Sequence, residues 1–207
     1  MSKIKKRLVI IGASAMGRET YAYAQEAGML VKGFLDSRAD ILKKRQDYPP
    51  ILGSVEDYRI EASDVFVCAV GDPNIKRRYA QIVRERGGAF ISIIHPSAYI
   101  GMNVKIGKGC VIAPHVSVSN DTTLGDHVIV NLNASISHDN VISTGCTICP
   151  GCHLAGWVTL DEDVFVGIGA SIIPHVSLGS GVFVAAGALV TKSCDTGRLL
   201  GVPARLG

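Results

Sequence analysis

The sequence predicts an α/β domain built on a small parallel, Rossmann-like sheet, followed by a parallel β-helix of about five coils. Two patterns support this prediction. Residues 7–93 alternate aliphatic runs with mixed polar segments, and from Ile94 onward an aliphatic residue recurs at every sixth position. We therefore divide the 207-residue chain into predicted domains at residues 1–93 and 94–207.

The first domain has the pattern of strands that alternate with helices. Segment 17–28 is mixed in polarity, and Pro73 precedes a charged segment that ends near Arg86. Proline is favoured in the first turn of a helix, and both segments are predicted to flank the sheet. Aliphatic or β-branched runs, which predict the strands, lie at residues 8–11, 30–35, 65–70 and 89–94.

The second domain carries a hexapeptide period without interruption. A period of six fits neither the 3.6-residue helix nor the strict alternation of an antiparallel strand, but it fits a parallel β-helix. Six residues form one short strand and a turn, and three such sides close a coil of about 18 residues. Seventeen consecutive register positions are aliphatic, namely Ile94, Ile100, Ile106, Ile112, Val118, Leu124, Val130, Ile136, Ile142, Ile148, Leu154, Leu160, Val166, Ile172, Leu178, Val184 and Val190.

Small side chains mark a second inward position, four residues after each register residue. Asn140 is the clearest exception to this pattern. Glycines directly after register residues are interpreted as tight corners, because glycine adopts backbone conformations that other residues avoid. These glycines are Gly101, Gly107, Gly125, Gly167 and Gly179.

Composition narrows the class of protein. Lys and Arg total 21 against 18 Asp and Glu, and a net charge of +3 is too small to predict a nucleic-acid partner. No run approaches the roughly 18 consecutive apolar residues of a membrane span. Six cysteines in a chain of 207 residues do not resemble a secreted disulfide scaffold, so we expect a cytoplasmic protein.

Several short motifs accompany the hexads: residues 12–17 (Gly-Ala-Ser-Ala-Met-Gly), residues 34–36 (Phe-Leu-Asp), Gly71-Asp72, His138-Asp139, residues 154–156 (Leu-Ala-Gly) and residues 201–204 (Gly-Val-Pro-Ala). With the hexads, they resemble the nucleotide-sugar acyltransferases of the sialic-acid O-acetyltransferase and bacillosamine or perosamine N-acetyltransferase family. The resemblance covers nearly the whole chain. The chain departs from it at Ala15-Met16, where relatives commonly carry Gly-His, and at Thr147, where they often carry His.

The resemblance implies a left-handed β-helix and a homotrimer. It implies that acetyl-CoA, the acyl donor, lies between neighbouring β-helices, and that the first domain holds a nucleotide-linked sugar; no metal is expected. The coenzyme contacts that the resemblance implies are Thr147, Gly156, Ile168 and Ala186.

The loop after the first predicted strand is the candidate substrate site. Free backbone N–H groups and the helix dipole at a strand-to-helix turn favour a phosphate, and Asp36 at the end of the next strand is placed for a ribose or base. A dinucleotide fold is the rival interpretation, but Ser14 stands where the G-x-G-x-x-G fingerprint needs its second glycine. Together with the family motifs, the predicted substrate contacts are Gly12, Ala13, Ser14, Ala15, Asp36 and Gly71.

His138 is the predicted general base. It lies two residues after Ile136 at an outward or corner position, with Asn120 one coil before it and Gly156 one coil after it. Because glycine has no side chain, Gly156 is expected to leave space for a thioester near His138. The neutral imidazole takes a proton from the attacking sugar group, and Asp139 is predicted to orient the ring.

The remaining histidines and cysteines are not predicted to bind a metal. Cys146, Cys149 and Cys152 have cluster-like spacing, but two of them fall on the inward small-residue register. The other histidines of the repeats scatter around the coil instead of converging. Trp157 and His175 share the azimuth of Asp139 and are interpreted as a surface column.

By resemblance, the chain is an acetyl-CoA-dependent N-acetyltransferase that acts on the 4-amino group of a nucleotide-linked dideoxy-aminosugar in glycan biosynthesis. O-acetylation of a sialic-acid-type sugar is the second enzyme hypothesis. A non-catalytic scaffold that senses a nucleotide, and an NAD oxidoreductase, are the alternatives from other classes.

Overall fold

The computed structural model describes residues 5–207, so residues 1–4 of the predicted first domain lie outside the described residues. The predicted fold class is confirmed, since a small parallel-sheet domain precedes a parallel β-helix. None of the helices within residues 5–207 is both long and apolar enough to cross a membrane.

The elements before the β-helix are β1 (Arg7–Ile11), α1 (Ala15–Glu26), β2 (Val31–Leu35), β3 (Ile51–Gly53), β4 (Asp64–Cys68), α2 (Pro73–Glu85) and β5 (Ala89–Phe90). The five strands form one parallel sheet in the order β3-β2-β1-β4-β5. The inner strand β4 is buried along its whole length, as expected where helices cover a parallel sheet. Strand β3 was not predicted, because its three residues are too short to give a recognisable run.

The strand order creates a crevice at the carboxyl edge of this sheet. The chain pairs β2 on one side of β1 and then β4 on the other side, so the loops that follow β1 and β4 diverge. Open α/β sheets bind ligands at such a switch point. The bordering loops are residues 12–14 and 69–72.

The β-helix is built from seventeen two-residue strands. They are β6 (Ile93–Ile94), β7 (Tyr99–Ile100), β8 (Lys105–Ile106), β9 (Val111–Ile112), β10 (Ser117–Val118), β11 (Thr123–Leu124), β12 (Ile129–Val130), β13 (Ser135–Ile136), β14 (Val141–Ile142), β15 (Thr147–Ile148), β16 (His153–Leu154), β17 (Thr159–Leu160), β18 (Phe165–Val166), β19 (Ser171–Ile172), β20 (Ser177–Leu178), β21 (Phe183–Val184) and β22 (Leu189–Val190).

These strands form three faces around an aliphatic axis. Face 1 contains β6, β9, β12, β15, β18 and β21; face 2 contains β7, β10, β13, β16, β19 and β22; face 3 contains β8, β11, β14, β17 and β20. Ser117 pairs with Ser135, which shows the step of 18 residues, and the strands make five complete coils and two sides of a sixth. From β9 to β22 the second residue of each strand is buried. At the far end β23 (Arg198–Leu200) and β24 (Arg205–Leu206) extend face 1.

The left-handed residue of each corner does not lie where the sequence analysis placed it. From Asn103 to Gly187 every sixth residue has a positive φ, so the left-handed position lies three residues after the register residue. The predicted corner glycines have another role. An added Cβ at Gly101, Gly107, Gly125, Gly167 or Gly179 would come within 2.1–2.9 Å of backbone atoms in the next coil, so these glycines permit close stacking of coils.

The N-terminal domain packs against face 1. Lys76 of α2 is 1% exposed, and its Nζ donates to the carbonyl oxygen of Cys146 at 3.2 Å and to Oγ1 of Thr147 at 2.9 Å. The Thr147 hydroxyl donates in turn to the carbonyl oxygen of Gly71 at 2.9 Å. These bonds tie α2 and the β4 loop to β15, and they set the crevice beside face 1.

Candidate active site

The crevice brings the predicted substrate residues together. The carboxylate of Asp36, directly after β2, accepts a hydrogen bond from the N–H of Ala13 at 3.0 Å. Arg38 donates to both carboxylate oxygens at 2.9 Å. Burial on its own raises the pKa of Asp36, but the bonds from Arg38 and Ala13 outweigh it and lower the pKa, so this carboxylate is anionic at neutral pH.

The contact with Asp36 changes what Ala13 offers to a ligand. The Ala13 side chain is fully buried, and its N–H is already paired with a carboxylate that repels phosphate. Ala13 therefore does not present the amide expected from the sequence.

The open part of the loop is the N-terminus of α1. Ser14 is the N-cap residue, its hydroxyl makes no capping bond, and the first turn contains no acidic residue. The first N–H groups of a helix have no intrahelical partner and carry the positive end of its dipole. An added Cβ at Gly17 would lie 2.0 Å from the carbonyl oxygen of Gly12, so Gly17 is what lets α1 approach the loop.

An aromatic surface continues the crevice onto the β-helix. A cavity of about 510 Å³ lies between residues 71–74 and face 1. Its floor includes Phe165 and Phe183, whose rings stack with centroids 5.1 Å apart. Arg198 lies 4.3 Å from the centroid of Phe183. We call Phe165 and Phe183 the aromatic shelf.

His138 lies at the corner between faces 2 and 3, after β13. Its side chain is 46% exposed, and Nδ1 is 2.8 Å from Oδ2 of Asp139. Asp139 has a φ of 58°, so it belongs to the left-handed corner instead of a strand, where neighbouring side chains point to opposite faces. With Nδ1 held by the carboxylate, Nε2 is the nitrogen that remains to exchange a proton.

The space above Gly156 is filled by His138 itself. An added Cβ at Gly156 would lie 2.6 Å from Cε1 and 2.9 Å from Nε2 of His138. The expectation that this glycine leaves room for a thioester is therefore wrong. Its missing side chain instead lets the imidazole rest on the backbone of the next coil.

Asn140 holds this corner from inside, a role that the sequence analysis missed. It is fully buried, and its Nδ2 donates to the carbonyl oxygens of Ser137 at 2.7 Å and Ala155 at 3.0 Å. Its Oδ1 accepts from the N–H of Val158 at 2.7 Å. The signal was present in the sequence as an amide at an otherwise small, inward position. These bonds join the corner that carries His138 to the corner of the next coil.

The four predicted coenzyme contacts do not form one strip on a single chain. Ile168 and Ala186 are exposed at the corner between faces 1 and 2, one coil apart, and the N–H of Gly187 donates to the carbonyl oxygen of Ile168. Gly156 lies at the His138 corner. Thr147 is 2% exposed, and its hydroxyl is engaged by Lys76 and Gly71. Thr147 and Gly156 are 9 residues apart, and Gly156 and Ile168 are 12 residues apart, whereas one full coil takes 18 residues.

The crevice and His138 lie on opposite sides of the β-helix. The N-terminal domain and the aromatic shelf adjoin face 1, whereas His138 projects where faces 2 and 3 meet. In a three-sided coil, the corner of two faces is opposite the third face. A ligand in the crevice of one chain is therefore separated from the imidazole of the same chain by the aliphatic axis.

Within residues 5–207, no group of three or more His, Cys, Asp or Glu side chains has an arrangement that holds a metal ion. Cys146 and Cys152 are buried free thiols, and burial raises the pKa of both. His127 is also buried, and burial together with the nearby Arg84 charge lowers its pKa to about 4. These groups pack the interior or the contact with α2.

Comparison with protein families gives one match to part of the chain. The family described as the PglD N-terminal domain matches residues 7–83. Among curated proteins, the GDP-perosamine N-acetyltransferase of Escherichia coli O157:H7 is 31% identical over 74 residues, which are 36% of this chain. The alignments cover 26% and 34% of the lengths of the first two curated relatives.

Solved structures resemble the whole chain. The acetyltransferase domain of PglB from Neisseria gonorrhoeae FA1090 is 29% identical, covers 97% of this chain and 99% of its own, and has a TM-score of 0.88; it is also known in complex with acetyl coenzyme A. PerB from Caulobacter crescentus, in complex with CoA and GDP-perosamine, is 28% identical, covers 97% of this chain and 96% of its own, and has a TM-score of 0.88. Variants of the Caulobacter enzyme with one histidine replaced by alanine or asparagine also hold both ligands.

Proposed function

Because residues 7–83 match the PglD N-terminal domain family and the whole chain shares the fold of the bacillosamine and perosamine N-acetyltransferases, we propose that this protein is an acetyl-CoA-dependent N-acetyltransferase. Its proposed acceptor is the 4-amino group of a nucleotide-linked dideoxy-aminosugar. The observation that carries the proposal is the 2.8 Å contact between Nδ1 of His138 and the carboxylate of Asp139, which leaves Nε2 of His138 to act as a base.

The proposed reaction is a direct transfer. The sugar nitrogen attacks the thioester carbonyl and forms the new C–N bond while Nε2 of His138 takes the nitrogen's proton. The Asp139 carboxylate stabilises the resulting imidazolium. Collapse of the tetrahedral intermediate breaks the C–S bond, and the imidazolium returns the proton to the departing CoA thiolate. No covalent intermediate with the protein is required.

The nucleotide is proposed to occupy the switch-point crevice. Its diphosphate lies at the N-terminus of α1 beside Ser14 and Ala15, where no side chain caps the amides and the first turn of the helix contains no acidic residue. Gly71 forms the opposite wall. The sugar then extends over the aromatic shelf, whose rings suit the apolar edge of a deoxysugar.

We propose that the active site is shared between two copies of the chain in a homotrimer. This explains how a sugar held at face 1 reaches an imidazole on the far side of the β-helix. It also accounts for the positions of the predicted coenzyme contacts. Gly156 of one copy and the Ile168–Ala186 corner of another can line the same intersubunit groove for acetyl-CoA.

The test is release of CoA thiol from acetyl-CoA in the presence of a panel of nucleotide 4-aminosugars, with a sialic-acid-type sugar as the O-acetyl acceptor arm. We expect turnover with an aminosugar, and a loss of about 10²- to 10⁴-fold in kcat for His138→Asn. His153→Asn is the matched control, because it changes an exposed histidine one coil away on face 2. Equal turnover by His138→Asn and the wild type would rule out the general base.

A further inference from the structure

Trp157 lies between two histidines on the corner that carries His138. The indole and the His138 imidazole are nearly perpendicular, at 87°, with centroids 4.5 Å apart. The indole also stacks on His175, with centroids 4.9 Å apart and an angle of 9°. The three rings come from successive coils, after β13, β16 and β19. One imidazole therefore precedes the indole along the axis and one follows it.

This order determines how His138 meets the indole. His175 covers one face of the indole in a parallel stack. His138 approaches from the opposite direction along the axis and at a right angle, so the two rings meet edge to face. An edge-to-face contact places the electropositive edge of one ring against the electron-rich face of the other.

Trp157 is also unusual for its position. Its φ is 57°, whereas the other corner residues from Asn103 to Gly187 are Gly, Asn, Asp or His. A bulky residue in the left-handed region is energetically costly. The indole is 50% exposed, so burial in the core does not offset this cost. Its contacts with the two imidazoles are the interactions that distinguish this corner.

The contact has a chemical consequence at His138. Asp139 holds Nδ1, and the backbone at Gly156 supports one side of the ring. The indole adds a third contact that limits rotation of the imidazole. The electron-rich face of tryptophan also attracts a cation, and His138 becomes a cation when it accepts a proton.

We propose that Trp157 is a positioning residue for His138: its indole face holds the imidazole in the orientation that presents Nε2 and stabilises the imidazolium formed during transfer. This inference rests on the proposed function for its catalytic consequence. The contact between the two rings does not depend on the reaction. The test therefore has two readouts, one for catalysis and one for the ring contact.

The kinetic readout compares two variants. Trp157→Asn removes the ring and keeps a residue that suits the left-handed corner, as at Asn133, so the backbone is retained. We expect kcat to fall about tenfold with KM within about twofold, because the lost interaction acts on the transition state. Trp157→Phe keeps an aromatic face and is expected to stay within about threefold of the wild-type kcat. Unchanged kcat in Trp157→Asn, or an equal loss in both variants, would overturn the proposal.

The second readout uses the fact that the chain contains one tryptophan, so its intrinsic fluorescence reports on Trp157 alone. A protonated imidazole in contact with indole quenches its emission. We expect weaker emission in acidic buffer, where the imidazoles are protonated, than in alkaline buffer, where they are neutral. His138→Gln should remove part of this quenching, and His175→Gln should remove the other part.

Quenching that is unchanged in His138→Gln would contradict the contact and with it the positioning role. Failure of the proposed function gives a different pattern. No form of the protein, wild type included, then releases thiol, while the fluorescence titration still decides whether Trp157 holds His138.

Discussion

Lys76 is the residue that links the stability of the fold to pH. Burial is the main cause that lowers its pKa from 10.5 to about 8, although the nearby Cys68, Cys146 and Asp163 groups act in the opposite direction. Its ammonium donates to β15 from within a contact that excludes water. The folded state therefore holds this proton less tightly than the unfolded state does.

This difference predicts a rise in stability with pH. Between pH 8 and pH 10.5 the unfolded chain keeps the Lys76 proton while the folded chain releases it, so the free energy of unfolding increases across this window. Relative to Lys76→Met, the wild type should gain about 2 kcal/mol between about pH 7.5 and about pH 9.5. Urea unfolding of both proteins at the two pH values measures this gain. The same pH dependence in both proteins would show that Lys76 is not its source.

Asp36 and Thr147 are engaged by neighbouring protein groups in ways that the sequence did not reveal. Both were predicted from the sequence as ligand contacts. The structure pairs Asp36 with Arg38 and Ala13, and it buries Thr147 beneath α2. The partner of Thr147 is not evident from spacing, because Lys76 is 71 residues away along the chain.

At the scale of elements, the candidate catalytic residues His138 and Asp139 lie at a corner of the β-helix, whereas its strands form the regular repeat. The corner with His138 is joined to the next one by the buried amide of Asn140. Other inward positions of this kind hold Ala134, Ala170 and Ala188, so an alanine fits the available space.

Asn140→Ala should therefore destabilise the fold through lost hydrogen bonds and not through volume. It leaves the N–H of Val158 and the carbonyl groups of Ser137 and Ala155 without this partner, and each buried unpaired group costs about 1–3 kcal/mol. We expect a loss of about 3 kcal/mol in denaturant unfolding. Cys152→Ala, at an equivalent inward position, is the control and should lose about 1 kcal/mol. A similar loss in both variants would contradict the role of the amide.

The regular part of the fold could be predicted because every repeat gives the same signal. An aliphatic residue at each sixth position identified the inward residues from Ile112 to Val190, all of which are buried. The corners could not be predicted in the same way. Their left-handed position is held by Gly, Asn, Asp or His in every repeat but that of Trp157, and these four types also occur at other positions of the hexads, so no single residue type marks it. His138 and Asp139 were placed at a corner by register, but the way the imidazole fills the space at Gly156 depends on a rotamer.

For the whole molecule, the separation of the crevice from His138 predicts complementation between chains. Ser14→Glu should block the crevice, because a carboxylate at the N-terminus of α1 competes with a phosphate. His138→Asn removes the proposed base. Each variant alone is expected to be inactive, whereas the proposed trimers, when assembled from both variants, contain some sites with an intact crevice and an intact His138. Thiol release measures the recovery, and a mixed preparation without activity would show that one chain supplies both parts.

The 18-residue step between paired strands also limits how such a chain can change length in evolution. Loss of a single hexad between Ile94 and Val190 leaves the aliphatic spine in phase. All residues beyond the deletion are, however, turned by a third of a revolution. Removal of one hexad between His138 and Ile168 that spares Asn140 would carry Ile168 and Ala186 to a different edge of the β-helix. Indels that are harmless to folding are thus harmless to catalysis only in multiples of three hexads.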